Sequence, residues 1–259
     1  MKHLFKSANL PTMAVGLGFA AQLLRRLLYA VAVDEKNLLA LHHPVELVLW
    51  LLSAAVLLYL GLSVRNLDGS REYEDNFFPS KSSKGGHLAA AIGIALTVFT
   101  NEPSMSGTLG RLWLVFGYLS PLCLMGAGLL RQQGRKPFFL LHLIPALFLT
   151  LHIVNHYQVW CADPQLQDYL FTLLGTMALL FFLFYNACFD ADMGWRRRQL
   201  FAGLAAVYLL IAELAASRYP WLYLGGILLA LTDLCSLNPV PKKIEEPKEE
   251  SNEGPHDPA

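Results

Sequence analysis

The sequence has few charged residues and no stretch long enough for a soluble domain between its apolar segments. Asp, Glu, Lys and Arg make up 15% of its 259 residues, and 54% are hydrophobic. A soluble domain of this size usually carries less apolar sequence than that. The 20 basic and 20 acidic residues cancel, so we expect neither a nucleic acid nor another electrostatic partner.

Motifs that would indicate known chemistry are also missing. The four cysteines form neither a disulfide framework nor a paired metal-ligand spacing. The sequence contains no Gly-rich phosphate loop, no nucleophile elbow and no His-Glu-x-x-His motif. No Asn-x-Ser/Thr sequon occurs, which is compatible with a bacterial inner membrane. We therefore expect no cofactor, and the sequence does not favour an enzyme.

What the sequence does contain is eight apolar segments, most of them near the length that a helix needs to cross a bilayer. They predict an all-α, polytopic membrane bundle of about eight transmembrane helices within residues 1–238, with the lipid bilayer as its partner. The predicted spans are 10–33, 45–64, 87–100, 112–130, 137–157, 169–189, 200–217 and 219–237.

Basic residues alternate between the loops and orient the predicted bundle. Fifteen of the 20 lysines and arginines fall before the first span, in the loops after spans two, four and six, or in the tail. Lys and Arg in short loops stay preferentially on the cytoplasmic side. We therefore expect a multi-pass protein of the cell membrane, in a bacterial inner membrane, with both termini in the cytoplasm.

Two segments outside the spans are expected to lack a core of their own. The loop 66–86 mixes charges with Gly and Ser, which is typical of a solvated connector. The acidic tail 239–259 contains five prolines and almost nothing apolar to bury, so we expect it to be disordered.

An internal duplication is one interpretation of the spans. Spans one and five each place polar residues, Arg25 with Arg26 and His152, about fifteen positions from their cytoplasmic ends. A parallel four-plus-four repeat would explain this. Chance similarity between helices of the same direction is the other interpretation.

Arg25 and Arg26 lie inside the first span, where charged side chains are costly. Adjacent helical residues point about 100° apart, so at least one arginine is expected to face protein. Gln22 and Tyr29 lie one turn to either side of Arg25 and complete a polar stripe. An arginine pair in this position requires an anion, either a protein carboxylate or a bound ligand.

Glu213 is the only carboxylate clearly within a span at comparable depth. We predict that it pairs with Arg25 or Arg26 in the outer half of the bundle, while Glu102, at an outer span end, is also within reach. An ion pair that only fixes helix packing and a binding pocket are both compatible with this pattern.

His152 and His156 share one face of span five, with Asn155 beside them. Spacing of i and i+4 suits a metal or a proton relay. Hydrogen-bonded packing residues are the more common use of such a pair, so we expect no metal there. The histidines can instead complete the same outer pocket as the arginines.

Charged residues also end spans on the cytoplasmic side. Asp190 and Asp192 precede the arginines 196–198, and Asp233 ends span eight, where it can reach water or a neighbouring arginine. A triple arginine can hold lipid headgroups, although stop-transfer arginines at the membrane surface are the ordinary explanation.

Three functions are compatible with these features. The first is a small permease or solute-binding protein whose outer pocket takes a small anionic solute or protons. The second is a membrane sensor or interaction subunit with structural ion pairs, whose protein partner the sequence does not identify. The third is an intramembrane metalloenzyme that uses His152 and His156.

Overall fold

The computed structural model describes residues 9–32, 43–67, 69–103, 107–160, 169–214 and 217–238, so the predicted disordered tail lies outside the described residues. Within these ranges the protein is all-α. Its nine helices are α1 (Leu10–Ala32), α2 (Pro44–Val64), α3 (Tyr73–Asn76), α4 (Lys81–Thr100), α5 (Thr108–Gln132), α6 (Leu140–Trp160), α7 (Leu170–Asp190), α8 (Arg196–Glu213) and α9 (Pro220–Cys235).

Eight of these helices coincide with the predicted apolar segments, and α3 lies in a loop. Five of them, namely α1, α2, α5, α6 and α7, are long and apolar enough to cross a membrane, and α9 is a shorter apolar helix. The helices α4 and α8 begin with lysines and arginines, which lower their hydropathy. The protein is thus a helical bundle with five candidate spans, and the count of eight stays a prediction.

Six helices close into a ring. Each helix from α4 to α9 packs against the next one in sequence, and α4 also packs against α9. Outside the ring, α1 packs along α8, and α2 contacts both of them. Because α8 is surrounded in this way, all of its residues from 202 to 213 are buried. It therefore presents little surface to lipid and needs less apolar character than its neighbours.

The outer surface of the bundle is apolar. Leu23 is 67% exposed, Leu58 65% and Phe99 73%. A soluble monomer rarely leaves so many large apolar side chains in contact with water. Such a surface is the one expected of helices that face lipid acyl chains.

Glycines bring α4 and α9 into close contact. A Cβ on Gly225 of α9 would lie 2.8 Å from the carbonyl oxygen of Ala89 and 2.9 Å from the Cα of Ala90 on α4. Both neighbours are backbone atoms, which cannot rotate away. Small residues allow helix backbones to approach in this way in membrane proteins, and this contact closes the ring.

The segment 69–80 is packed onto the bundle, so the expectation of a solvated connector is wrong there. Tyr73, Asn76 and Phe77 are only 4%, 1% and 6% exposed. The backbone N–H of residue 78 donates to the carbonyl of Ser236 at 3.2 Å, and that of Asn238 donates to the carbonyl of Asn76 at 2.8 Å. These bonds attach the segment, which we term the cap, to the end of α9.

The α4–α9 contact yields a test of the ring. We expect Gly225→Ala to destabilise the protein by about 1–3 kcal/mol, because the added methyl group overpacks against backbone. Gly126→Ala is the matched control, since its Cβ would meet only the Leu141 side chain at 3.7 Å. Thermal unfolding of both variants in detergent measures the difference, and equal melting temperatures would contradict the close contact.

Candidate functional site: a buried charge cluster

Polar side chains from all six helices of the ring meet at one end of it. At this end α4, α6 and α8 begin and α5, α7 and α9 end, and we term it the basic end because the arginines 196–198 lie there. The residues concerned are Ser83 and His87 on α4, Arg131 on α5, His142 on α6, Asn186 and Asp190 on α7, Gln199 on α8 and Asp233 on α9. All are at most 4% exposed, and we refer to them as the basic-end cluster.

Asp233 connects four helices in this cluster. Its Oδ2 accepts hydrogen bonds from Arg131 Nη1 at 2.6 Å and from Asn186 Nδ2 at 3.1 Å. Its Oδ1 accepts one from Ser83 Oγ at 2.7 Å. The sequence predicted that Asp233 reaches either water or a neighbouring arginine, and in the structure this buried carboxylate contacts an arginine.

A chain of hydrogen bonds runs through the two histidines. His142 Nδ1 lies 2.5 Å from Asp190 Oδ2, and His142 Nε2 lies 3.0 Å from His87 Nε2. His87 Nδ1 lies 2.8 Å from the backbone carbonyl oxygen of Ser83 and 3.6 Å from Asp233 Oδ1. The chain therefore extends from α7 through α6 to α4.

The hydrogen-bond partners of the two histidines determine which of their ring nitrogens carry hydrogen. A carbonyl oxygen only accepts, so His87 Nδ1 carries a hydrogen and the Nε2 of a neutral His87 is an acceptor. His142 Nε2 must then donate, while its Nδ1 faces the carboxylate of Asp190. An ionised Asp190 and a neutral His142 cannot satisfy both contacts. The hydrogen-bonded chain therefore requires one additional proton, which is held between His142 and Asp190 when His87 is neutral.

The charge balance of the cluster leads to the same requirement. Arg131 contributes one positive charge, and Asp190 and Asp233 would contribute two negative charges if both were ionised. With neutral histidines, one buried negative charge is left without compensation, which costs several kcal/mol. One proton on His142 or Asp190 makes the cluster neutral.

The cap covers this cluster. The guanidinium carbon of Arg131 lies 4.5 Å from the centre of the Phe77 ring and 5.8 Å from that of Tyr73. Burial raises the pKa of Tyr73 to about 12, so its hydroxyl stays protonated at neutral pH. Aromatic faces stabilise a guanidinium while excluding water from it. The rings of the cap therefore separate Arg131 from the aqueous side.

Asp192 holds the cap against the next loop. Its Oδ1 accepts a hydrogen bond from the backbone N–H of Tyr73 at 3.1 Å, and its Oδ2 pairs with Lys136. The hydrogen bond from Lys136 lowers the pKa of Asp192. Asp192 is thus the ionised, partly exposed counterpart of the buried Asp190 two residues earlier.

At the opposite end of the bundle, the structure pairs Arg25 with Glu213. Arg25 Nη1 donates to Glu213 Oε2, and Arg25 Nη2 donates to Tyr29 Oη at 3.2 Å. Thr172 Oγ1 donates to Glu213 Oε1 at 2.6 Å. Both charged side chains are buried. The arginine that faces protein is therefore Arg25.

The other outer candidates differ in their burial. Arg26 and Glu102 are exposed, and Gln22 is half-buried. The structure therefore does not bring Arg26 or Glu102 into the buried ion pair. Because Glu213 accepts hydrogen bonds from both Arg25 and Thr172, it joins α8 to α1 and α7 at this end.

His152 and His156 form an aromatic group with Tyr219. The two imidazole ring centres are 4.4 Å apart, and Tyr219 Oη lies 3.0 Å from His156 Nδ1. Neither ring nitrogen of the buried His152 has a hydrogen-bond partner among the described residues. Asn155, between the histidines in sequence, is also buried. No carboxylate from the described part of the chain joins them as a metal ligand set.

A different set of residues has the spacing of metal ligands. Ligand atoms of His87, His142 and Asp233 lie within 4.8 Å of one another. The second ring nitrogens of both histidines face a backbone carbonyl and a carboxylate, which is how metal-binding histidines are usually held. However, both oxygens of Asp233 already accept hydrogen bonds, and Arg131 adjoins them.

Sequence reasoning missed His87, His142, Ser83, Arg131 and Gln199 as site residues. Each lies near the end of a predicted span, where a polar residue is usually taken to face water. A usable signal was that all six ring helices carry such a residue at the same end.

No protein-family model matches the chain, and neither a curated protein nor a solved structure is significantly similar to it.

The pair of Arg25 and Glu213 yields a stability test. Arg25→Gln should destabilise the protein by about 3–5 kcal/mol, because it leaves Glu213 buried without its counter-charge. The exposed neighbour provides the control, and Arg26→Gln should change stability by less than about 0.5 kcal/mol. Combining Arg25→Leu with Glu213→Leu should recover most of the loss. Thermal unfolding in detergent measures all three, and an equal effect of the two single variants would contradict the pairing.

Proposed function

We propose that the chain crosses the membrane of a bacterial cell eight times, with both termini in the cytoplasm. Besides the five candidate spans, the count of eight includes α4, α8 and α9. All three belong to the same closed ring. The burial of α8 explains its lower apolar content. The four-plus-four repeat stays one of two interpretations of the spans, beside chance similarity between helices of the same direction. In this orientation the basic end faces the cytoplasm, as the distribution of Lys and Arg requires.

In this proposal the protein functions as a proton-coupled permease for a small anionic solute. The observation that carries this proposal is the 3.0 Å contact between His87 Nε2 and His142 Nε2. That contact, beside a carboxylate, needs one exchangeable proton inside a ring of membrane helices. Buried ionisable groups at such positions usually mark a proton or substrate pathway.

The cluster also supplies a site for the anion. Arg131 Nη2 lies 3.8 Å from Asp190 Oδ1, beyond hydrogen-bond distance, and has no hydrogen-bond partner among the described residues. When the proton resides at Asp190, the attraction of that carboxylate for Arg131 weakens. Arg131 can then bind an anion from the cytoplasmic side once the cap moves aside. Anion and proton therefore favour each other's binding, which is the requirement for cotransport.

The outer polar residues provide the second half of the pathway. His152, whose buried ring nitrogens have no hydrogen-bond partner among the described residues, can take up a proton at its bare nitrogen or accept a hydrogen bond there from a solute hydroxyl. The ion pair of Arg25 and Glu213 holds α1 against α8. In this proposal the candidate pocket forms the outer part of the pathway and excludes Arg26 and Glu102. Its residues are Arg25, Gln22, Tyr29, Glu213, His152, Asn155 and His156.

An intramembrane metalloenzyme is the second candidate, because His87, His142 and Asp233 have ligand spacing. A bound divalent cation would supply two positive charges where the cluster lacks one, and would leave it with a net charge of +1. It would also have to displace Ser83 Oγ from Asp233 and tolerate the adjacent Arg131. A proton needs neither change, and we therefore favour the permease.

Reconstituted vesicles test the permease. The purified protein is placed in liposomes that contain a pH-sensitive dye, and phosphate or small carboxylates are added outside. We expect at least one of these anions to acidify the lumen of wild-type vesicles. Asp190→Asn and His142→Gln should abolish the signal, and Glu102→Gln, which changes an exposed carboxylate outside the proposed pathway, should retain it. Anion-driven proton movement that is unchanged in Asp190→Asn, or absent from the wild type, would contradict the proposal.

Metal content separates the two candidates. Protein purified without chelators should contain well under one zinc, iron or manganese ion per chain by elemental analysis. The reason is that the proton already neutralises the cluster and Arg131 repels a cation. One metal ion per chain, retained in His152→Gln and lost in His87→Gln, would favour the metalloenzyme instead.

A further inference from the structure

An apolar groove runs along the outside of the ring towards the basic end. It lies between α2 and α7, with α8 as its floor, and has a volume of about 490 Å³. Leu57 and Gly61 line one wall, Met177 and Phe181 line the other, and Ala205 lies on the floor. The lining follows α8 from Arg197 to Leu209, a distance of roughly 18 Å at 1.5 Å per residue. The groove is therefore long and narrow.

A basic cavity adjoins the groove. Its volume is about 330 Å³, and Arg71, Arg196, Arg197 and Arg198 line it together with Gly69, Gly194 and Trp195. Arg197 and Arg198 line both the cavity and the groove. Of the described residues that line the cavity, none is acidic. The apolar and basic spaces thus form one continuous, amphipathic site.

Two of the four arginines, Arg196 and Arg198, are held in place by contacts with neighbouring residues. Arg196 is 6% exposed, and its guanidinium donates to Asn76 Oδ1 at 3.1 Å and to the backbone carbonyl of Asn238. Its Nε has no hydrogen-bond partner among the described residues. Arg198 stacks on the Trp195 ring, with its Cζ 3.8 Å from the ring centre. Guanidinium groups fixed in this way are suited to bind phosphate oxygens.

We propose that the groove and the cavity together bind one anionic phospholipid of the surrounding bilayer. The phosphate group occupies the basic cavity, and an acyl chain lies in the groove along α8. Four arginines at the mouth of an apolar groove match the charge and the polarity of such a lipid. This site lies outside the ring and does not depend on the proton-binding cluster.

Lipid titration of the full-length protein in detergent tests the site, with native mass spectrometry counting bound lipids. The probes are phosphatidylglycerol, phosphatidylcholine of the same chain length and inorganic phosphate. We expect phosphatidylglycerol to bind at least tenfold more tightly than phosphatidylcholine. Combining Arg197→Gln with Arg198→Gln should remove that preference. Arg135→Gln, which neutralises an exposed arginine outside both cavities, should preserve it.

A second variant distinguishes binding of the lipid's acyl chain from binding of its headgroup. Gly61→Leu places an apolar side chain in the groove, and its Cβ would meet only the Phe201 ring, at 3.6 Å. It should weaken phosphatidylglycerol binding at least tenfold and leave the melting temperature of the lipid-free protein within about 3 °C of the wild-type value.

Four results would overturn the proposal. Equal binding of the two lipids would remove the role of the arginines, and equal weakening by Arg135→Gln would indicate non-specific surface attraction. Undiminished lipid binding in Gly61→Leu, with inorganic phosphate competing fully, would reduce the site to one for free phosphate. A polypeptide, or a second copy of this chain, that resists excess phosphatidylglycerol and dissociates in Gly61→Leu would show that a protein occupies the groove.

Discussion

The ion pair of Arg131 and Asp233 is the interaction on which the basic end depends. Asp233 is fully buried and receives hydrogen bonds from α4, α5 and α7. A buried carboxylate is stable only when its oxygens are satisfied and its charge is balanced. The ring must therefore close around Arg131, and the aromatic rings of the cap must cover the guanidinium from outside. Closure of the ring, burial of the cap and the placement of both histidines all follow from this pair.

The two ends of the bundle use buried charge differently. Arg25 and Glu213 are one cation and one anion, so their pair is neutral and joins helices without needing a proton. The basic-end cluster has an odd number of fixed charges and requires a proton on its histidine and aspartate chain. A neutral pair resists change, whereas a shared proton can leave and return. We therefore assign the exchange of the proton to the basic-end cluster, while Arg25 and Glu213 hold their helices together at the other end of the proposed pathway.

Much of the fold was predictable from the sequence because it depends on local patterns. Apolar segments of suitable length gave helix positions close to those observed, and the shared depth of Arg25 and Glu213 suggested their contact. The basic-end cluster was not predictable in this way. His142 meets a partner 55 residues away in His87, and Ser83 meets one 150 residues away in Asp233. No local period encodes such contacts, since they arise only when α4 packs on α9 and closes the ring.

Arg131 shows why residues near span ends are misassigned. Its position at the end of an apolar segment is typical of a stop-transfer residue in water, yet it is only 3% exposed. The cap explains the difference, because the rings of Tyr73 and Phe77 cover Arg131 although they lie in a loop whose other residues are mostly polar. Two aromatic side chains give too weak a pattern to predict that a loop folds back over the bundle.

The most direct test of this account is the protonation state of the two histidines at the basic end. Nitrogen NMR of protein labelled with ¹⁵N-histidine, assigned with His87→Gln and His142→Gln, reports which ring nitrogens carry hydrogen. We expect His87 as the neutral Nδ1–H tautomer and His142 with hydrogen on both nitrogens, or on Nε2 alone beside a protonated Asp190. Hydrogen on Nδ1 of both rings, with both Nε2 atoms bare or metal-bound, would contradict the additional proton and the function proposed from it.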